Sequence, residues 1–274
     1  MQLDRANIVI RERQFLELFD LALHVLRQRA RALCGLFAVC VLPAALLNHV
    51  LLVWVIGLDV AAGGAESTWW LLLSVWLIAW ELPLVTAPLT LYLGQALFHD
   101  RVNYRRIRRE TAGSLPQLLY YQGFLRGLLV LTVVAAPITH IVRPYLNEVI
   151  LLERNQMSPG RHQRPTTAGR TRSLHTGWGG ELMGRWIIAM SIGLVLSLAL
   201  LFGLRTGVEL VFGRLPFENF TEYVLLPLTL WLVFGLLMTI VRFLAYIDLR
   251  IRREGWEIEL AMRDEAQRLA RHPA

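Results

Sequence analysis

Long, nearly uncharged apolar blocks constrain this chain more than any other feature of its sequence. Leu33 to Gly57 holds no carboxylate or arginine, and Trp69 to Leu93 holds only Glu81. Further blocks run from Leu118 to Leu152, Arg185 to Leu204 and Tyr223 to Ile247. A bilayer core about 30 Å thick needs about 20 apolar residues to be crossed as a helix. A soluble core would instead distribute its apolar residues at the period of an amphipathic element. Composition agrees, with 55% of the 274 residues hydrophobic and 18% charged, where soluble domains carry about 25% charged. A soluble enzyme, a disordered chain and a secreted disulfide scaffold are excluded. The expected fold is all-α, a polytopic transmembrane helix bundle.

The formal charge is +7, from 28 basic against 21 acidic side chains, and every basic one is arginine. Basic faces can neutralise nucleic acid phosphates. Here the arginines flank the apolar blocks, which is the pattern of a positive cytoplasmic face. No nucleic acid partner is expected, and anionic lipids of the inner leaflet are the natural electrostatic partner. Cys34 and Cys40 lie six residues apart on one apolar block, so they point to different faces and form neither a disulfide nor a metal pair. The first block follows about 32 mixed residues and far exceeds the roughly 7–15 apolar residues of a cleaved signal. It is expected to stay as a membrane anchor.

Arginine placement threads the chain. Arg27, Arg29 and Arg31 precede the first span (33–57), and a strongly basic loop beginning at Arg101 follows the second (69–93). Between those spans Asp59 and Glu66 occur without arginine, so that loop belongs outside. The region 118–152 is too long for one span and is interrupted by Pro137 and Pro144. A single span there would put Arg154, Arg161, Arg164, Arg170 and Arg172 outside, against the bias. Two short segments, 118–136 and 138–152, hinged at Pro137, keep them inside, because proline removes a backbone donor and breaks the preceding turn. The last spans are 185–204 and 223–247. About six segments result, with both termini in the cytoplasm of an inner-membrane, multi-pass protein.

Outside the bundle (33–247), two flanking segments carry amphipathic stripes. In 1–32, Phe15, Phe19, Ala22 and Leu26 recur at helical spacing, and in 248–274 Ile251, Ile258, Met262 and Leu269 do the same. Both are expected to lie on the inner leaflet, with docking on a cytoplasmic partner as the alternative. As an accessory subunit, the protein as a whole would also meet a membrane protein partner. At the carboxy end Arg250, Arg252, Arg253 and Trp256 are the residues expected to meet lipid. The stretch 155–180 has Pro, Gly, Ser, Thr and Arg without apolar periodicity and is expected to be a flexible basic loop.

Three stretches carry a family resemblance. The first runs from Arg11-Glu12-Arg13 through Leu18-Phe19-Asp20, Ala22-Leu23 and Arg27 to Leu42-Pro43. The second is Asn147-Glu148-Val149-Ile150-Leu151-Leu152-Glu153-Arg154. The third is Tyr246-Ile247-Asp248-Leu249-Arg250 through Glu254-Gly255-Trp256. Together they resemble the membrane domain associated with glycerophosphoryl diester phosphodiesterases, and related bacterial six-span proteins of unknown function. The resemblance implies six spans and the hairpin at Pro137. It implies no activity, because the catalytic barrel of those enzymes is absent from this chain.

Ionisable residues within apolar blocks are the candidates for chemistry, since a charge in hydrocarbon is costly and marks function by default. Glu81 lies roughly 18 Å from the inner end of its helix and Arg126 roughly 13 Å into the next, at helical rise. The similar depths suit an ion pair that locks two helices, or else a proton or solute path. Asn48, His49, His140, Arg143 and Glu148 form a second polar set, usable by a pathway or by interhelical hydrogen bonds. Gly123 with Gly127, and Ala189, Gly193 and Ser197, are small-residue stripes for close helix packing, and the oligomeric state stays open. No nucleophile elbow, phosphate loop or HExxH occurs, and His162 and His175 lack ligand partners at metal spacing. The expected function is therefore a non-enzymatic membrane scaffold or accessory subunit, without cofactor or metal. The alternative is a small-solute or lipid transporter that uses the intramembrane polar residues.

Overall fold

A computed structural model of the chain describes residues 14–57, 65–98, 102–126, 143–157, 166–176, 179–216 and 219–254. These residues are helical almost throughout, and among them the sole strand-like pairing is one bridge between Gln156 and Thr166. Helix α1 (Phe15–Gln28) turns at Arg29 directly into α2 (Ala30–Val50), which continues as a π-helical turn at Leu51–Val55. Gly57, at φ 76°, ends this rod in the left-handed conformation that glycine adopts without steric cost. The next rod is split into α3 (Ala65–Val85) and α4 (Ala87–Phe98) at Thr86. Pro83 and Pro88 each remove an N–H and crowd the turn before them, so the break falls between them.

Beyond α4 the basic loop of the sequence reading is instead a helix, α5 (Tyr104–Leu118). The side chain of Asn103 accepts from the Arg106 amide at 3.1 Å and starts it, and an Arg106–Glu110 pair supports its first turns. After Pro116 the helix widens into a π segment, Leu119–Arg126. The chain re-enters the description at α6 (Leu146–Glu148), extended by the π turn Val149–Glu153 and closed by Arg154 at φ 52°. Then come α7 (Thr167–His175) and the 34-residue α8 (Gly179–Phe212). A closing rod follows: a π turn at Thr221–Leu225, α9 (Leu226–Leu230), a π segment at Trp231–Leu237 and α10 (Met238–Glu254).

Among the described residues four rods are long and apolar enough to cross a membrane: Ala30–Val55, Thr68–Leu97, Gly179–Phe212 and Thr221–Arg253. Their outward faces are what a soluble protein would have to hide. Only 11% of the most apolar window of α8 is buried, and Trp54, Leu210, Val211 and Phe212 are largely exposed. An apolar surface of that extent belongs against lipid tails. The core instead gathers at one end of the bundle, around Phe243, Tyr246, Leu249, Leu89, Leu118, Ile150 and Leu174.

Span boundaries differ from the sequence reading because helices end where backbone hydrogen bonding ends, not where hydropathy falls. The span expected at 185–204 begins at Gly179 and runs to Phe212, and the one at 223–247 continues unbroken to Glu254. Of the six expected segments, the four long ones appear among the described residues. The described limbs of the expected hairpin, 118–126 and 143–153, are short, and Pro137 lies outside the described residues.

Two further expectations are corrected. The stretch 155–180 is not uniformly a loop: Thr166 caps α7 by accepting from the Gly169 amide, and Thr167, Thr171 and Leu174 form its buried stripe. Two of those three are threonines, which a search for apolar periodicity passes over. The apolar stripe of α1 does not lie free for the leaflet either. Leu18, Ala22 and Val25 are buried, and α1 packs on α10. Up to Glu254 the carboxy-terminal segment simply prolongs α10, with Asp248, Leu249 and Ile251 buried. The first amphipathic helix is thus covered by the closing rod. Residues beyond 254 and before 14 lie outside the described residues.

Candidate functional site

Charge is concentrated at the end of the bundle where α1, α5, α6, α7 and α10 meet. Three buried or half-buried carboxylates organise it, and each takes arginine from an element distant in sequence. Glu148, with no exposed surface, accepts from Arg242 Nε at 2.6 Å, joining α6 to α10. Glu153 takes a two-pronged contact from Arg170, at 2.6 and 3.0 Å, and a hydrogen bond from the Tyr246 hydroxyl at 2.7 Å. Arg250 stands 3.8 Å away on the same carboxylate. Asp248 accepts from Arg185 Nη1 at 3.0 Å and from Arg252 Nε at 3.1 Å, and Arg185 also donates to Glu181.

Outer contacts extend this network. Glu110 on α5 pairs with Arg106 and with Arg154. Gln117 donates to the Asn155 carbonyl at 3.2 Å, and Arg253 donates to the carbonyls of Ser173 and Thr176. The bond between Gln117 and Asn155 brings the two sides of the 118–152 region together at this end of the bundle. Burial works against ionisation of Glu153, but hydrogen bonds from Arg170 and Tyr246 and the charges of Arg170 and Arg250 outweigh it. Its carboxyl is held below the ordinary range. Glu110 behaves alike: burial opposes its charge, and Arg106 and Arg154 overcome that. A paired guanidinium favours the charged carboxylate, whereas burial alone favours the neutral acid.

The intramembrane candidates fall in different places. Glu81 meets Asn48, whose Nδ2 donates to it at 3.0 Å. Arg126 ends the described π segment, and its side chain lies outside the described residues, as does His140. His49 is exposed and lines a cavity with Asn48. Arg143 is half-buried near α6, and Glu148 belongs to the ion-pair network. Asn147 fills a role the sequence does not advertise. Its Nδ2 donates at 3.0 Å to the carbonyl of Pro83, just before the break at Thr86. Of the arginines expected at the leaflet, Arg250, Arg252 and Arg253 all make contacts within the protein. Trp256 lies outside the described residues.

Glu153, Arg170, Tyr246, Asp248, Arg185 and Arg242 were not among the site residues expected from sequence. One signal was available: Arg185 and Arg242 stand within or beside apolar spans, where a charge requires a partner. The sequence does not say which carboxylate that partner is.

Two cavities flank these groups. One of about 120 Å³ lies beside Arg185, Arg242 and Tyr145 with an otherwise apolar wall. The other, of about 470 Å³, lies between α2, α3 and the first half of the closing rod. Among the described residues no group of three or more His, Cys, Asp or Glu is placed to hold a metal ion.

This arrangement defines a class: an all-helical bundle with four helices built for a bilayer, fastened at one end by arginine–carboxylate pairs. No protein-family model, curated protein or solved structure matches the chain.

Proposed function

We propose that the protein is a non-enzymatic inner-membrane scaffold or accessory subunit, held rigid by its ion-pair network. One observation carries this reading. The buried or half-buried carboxylates Glu148, Glu153 and Asp248 each accept from an arginine of another element. Carboxylates that fasten one helix to another in this way suit a rigid bundle. A buried pair is weak evidence for stability as such, but it specifies which elements meet.

The same network supports the topology. The described segments 104–118, 153–157, 166–176 and 248–254 gather at one end with α1, and all of them carry arginine. An even number of crossings, both termini in the cytoplasm, places that end inside in agreement with the arginine bias. The return of the chain from Gln117 to Asn155 supports a hinged pair of short segments near Pro137, which brings the total to six. The resemblance to the phosphodiesterase-associated membrane domain supports the same count.

Reporter fusions active only outside the cytoplasm test the threading. Placed after Gly160 and after Ala274 they should be silent, and activity at both would mean an odd number of crossings. The scaffold itself is tested by gentle extraction of the tagged full-length chain from its native membrane. It should migrate in a complex larger than the chain alone and, after reconstitution into liposomes, move no solute under a proton gradient. A chain that migrates alone and moves solute would establish the transporter instead.

A further inference from the structure

Helix α5 holds arginines of two kinds. Arg106 is taken up by Glu110, which Arg154 shares. Arg105, Arg108 and Arg109 are exposed, and none of them has a carboxylate partner among the described residues. Their face continues along the helix. Arg105, Arg108, Ala112, Leu115 and Leu119 are all exposed and follow one another at steps of three and four residues, which makes them one stripe. Ile107 and Leu118, on the opposite side, are buried.

Contacts with the second membrane rod set the depth of this stripe. The Asn103 amide donates to Gln95 Oε1 at 3.1 Å, and the Tyr104 ring stacks on Tyr92 with centroids 6.3 Å apart. Further on, Trp80 Nε1 donates to the Gly123 carbonyl at 3.0 Å. The rod 104–126 therefore runs antiparallel to Thr68–Leu97, starting beside its last turns and reaching its middle. Thr68–Leu97 measures about 45 Å along its path, against a hydrocarbon core of about 30 Å, so its last turns stand among headgroups. The three arginines lie at that level. Leu115 is about 10 Å further along the helix from Arg108, where lipid tails begin.

We propose that this face of α5 binds a glycerophospholipid with an anionic head, the phosphate on Arg105, Arg108 and Arg109 and a tail along Leu115 and Leu119. Guanidinium forks match phosphate oxygens two at a time. A zwitterionic head would bring its own cation to a face of three unshielded positive charges, so a head of net negative charge is selected. An acidic soluble protein would meet the arginines but not the leucines, which stand at the depth of the tails. The site rests on the depth of the rod alone, independent of the scaffold reading and of which side that end faces.

The test is native mass spectrometry of the full-length protein in detergent, titrated with dioleoyl-phosphatidylglycerol and with dioleoyl-phosphatidylcholine. The first phosphatidylglycerol should bind about tenfold or more tighter than phosphatidylcholine, as expected for several arginines near the membrane surface. Glycerophosphoglycerol, the same head without tails, should not compete. Arg108→Gln should weaken phosphatidylglycerol about fivefold, equivalent to about 1 kcal/mol. Arg105→Gln, Arg108→Gln and Arg109→Gln together should abolish the preference and leave phosphatidylcholine unchanged. Arg205→Gln removes one exposed arginine, paired with Glu209 at the far end of α8, and should have no effect. Every variant should keep the wild-type melting temperature, and if the triple variant does not fold, Arg108→Gln against Arg205→Gln decides. Equal affinity for the two lipids, competition by the tail-free head (a free-anion site only), or equal effects of Arg108→Gln and Arg205→Gln would overturn the proposal. So would an undiminished preference in the folded triple variant, which would leave the face to an acidic protein.

Discussion

Glu148 is the residue on which most depends. It has no exposed surface and leans on Arg242 at 2.6 Å. Removing one partner of a buried pair strands the other charge, typically at about 3–5 kcal/mol. Glu148→Gln and Arg242→Gln should each lower the melting temperature in detergent, and the double substitution should recover much of the loss. Simple additivity would show that the two do not act as a pair. Glu153 adds a pH dependence of determined sign. Its folded carboxyl is held below the unfolded value, so the stability it contributes is complete above that value and is lost as pH falls through the folded one. Melting should be flat from neutral pH to about 5 and then decline below the ordinary glutamate value of about 4.3. Glu153→Gln should melt lower at neutral pH and decline less in acid. A decline confined to pH 5–7 would assign the effect to another group.

Among the elements, α8 separates packing from helix propensity most cleanly. Its buried stripe runs through Leu182, Arg185, Gly193, Ser197 and Leu201, and the rest of its surface is open. A Cβ on Gly193 would come within 2.8 Å of the Phe234 ring on the closing rod, while one on Gly203 would meet nothing. Gly193→Val should therefore destabilise by about 1–3 kcal/mol through overpacking. Gly203→Ala should be neutral or gain up to about 1 kcal/mol of helix propensity. Equal melting shifts for the two would show that α8 does not seat against Phe234. The small-residue stripe of α8 was legible in the sequence because spacing alone defines it. Helix α7 was not, since its buried face is built of threonines and its cap is a single hydroxyl. The break at Thr86 falls between Pro83 and Pro88, and the use of the Pro83 carbonyl by Asn147, 64 residues away, has no local signal.

For the molecule as a whole, the exposed apolar faces of four rods make lipid the solvent of most of its surface. The chain should stay in the membrane pellet through an alkaline carbonate wash and leave it only with detergent. Release by the wash would contradict that reading. What the sequence determined by itself is the class, a helical bundle with long apolar helices, because crossing hydrocarbon imposes a length and a composition that can be read locally. It also marked which connections are rich in arginine. What only the tertiary structure decided is partnership. Glu81 meets Asn48, the stripe of α1 meets α10 rather than an open leaflet, and Arg185 and Arg242 find Asp248 and Glu148. A charged or amphipathic residue states in sequence that it needs a partner, but the partner is fixed by which helices lie side by side. That adjacency comes from packing across many residues at once, so no local pattern contains it.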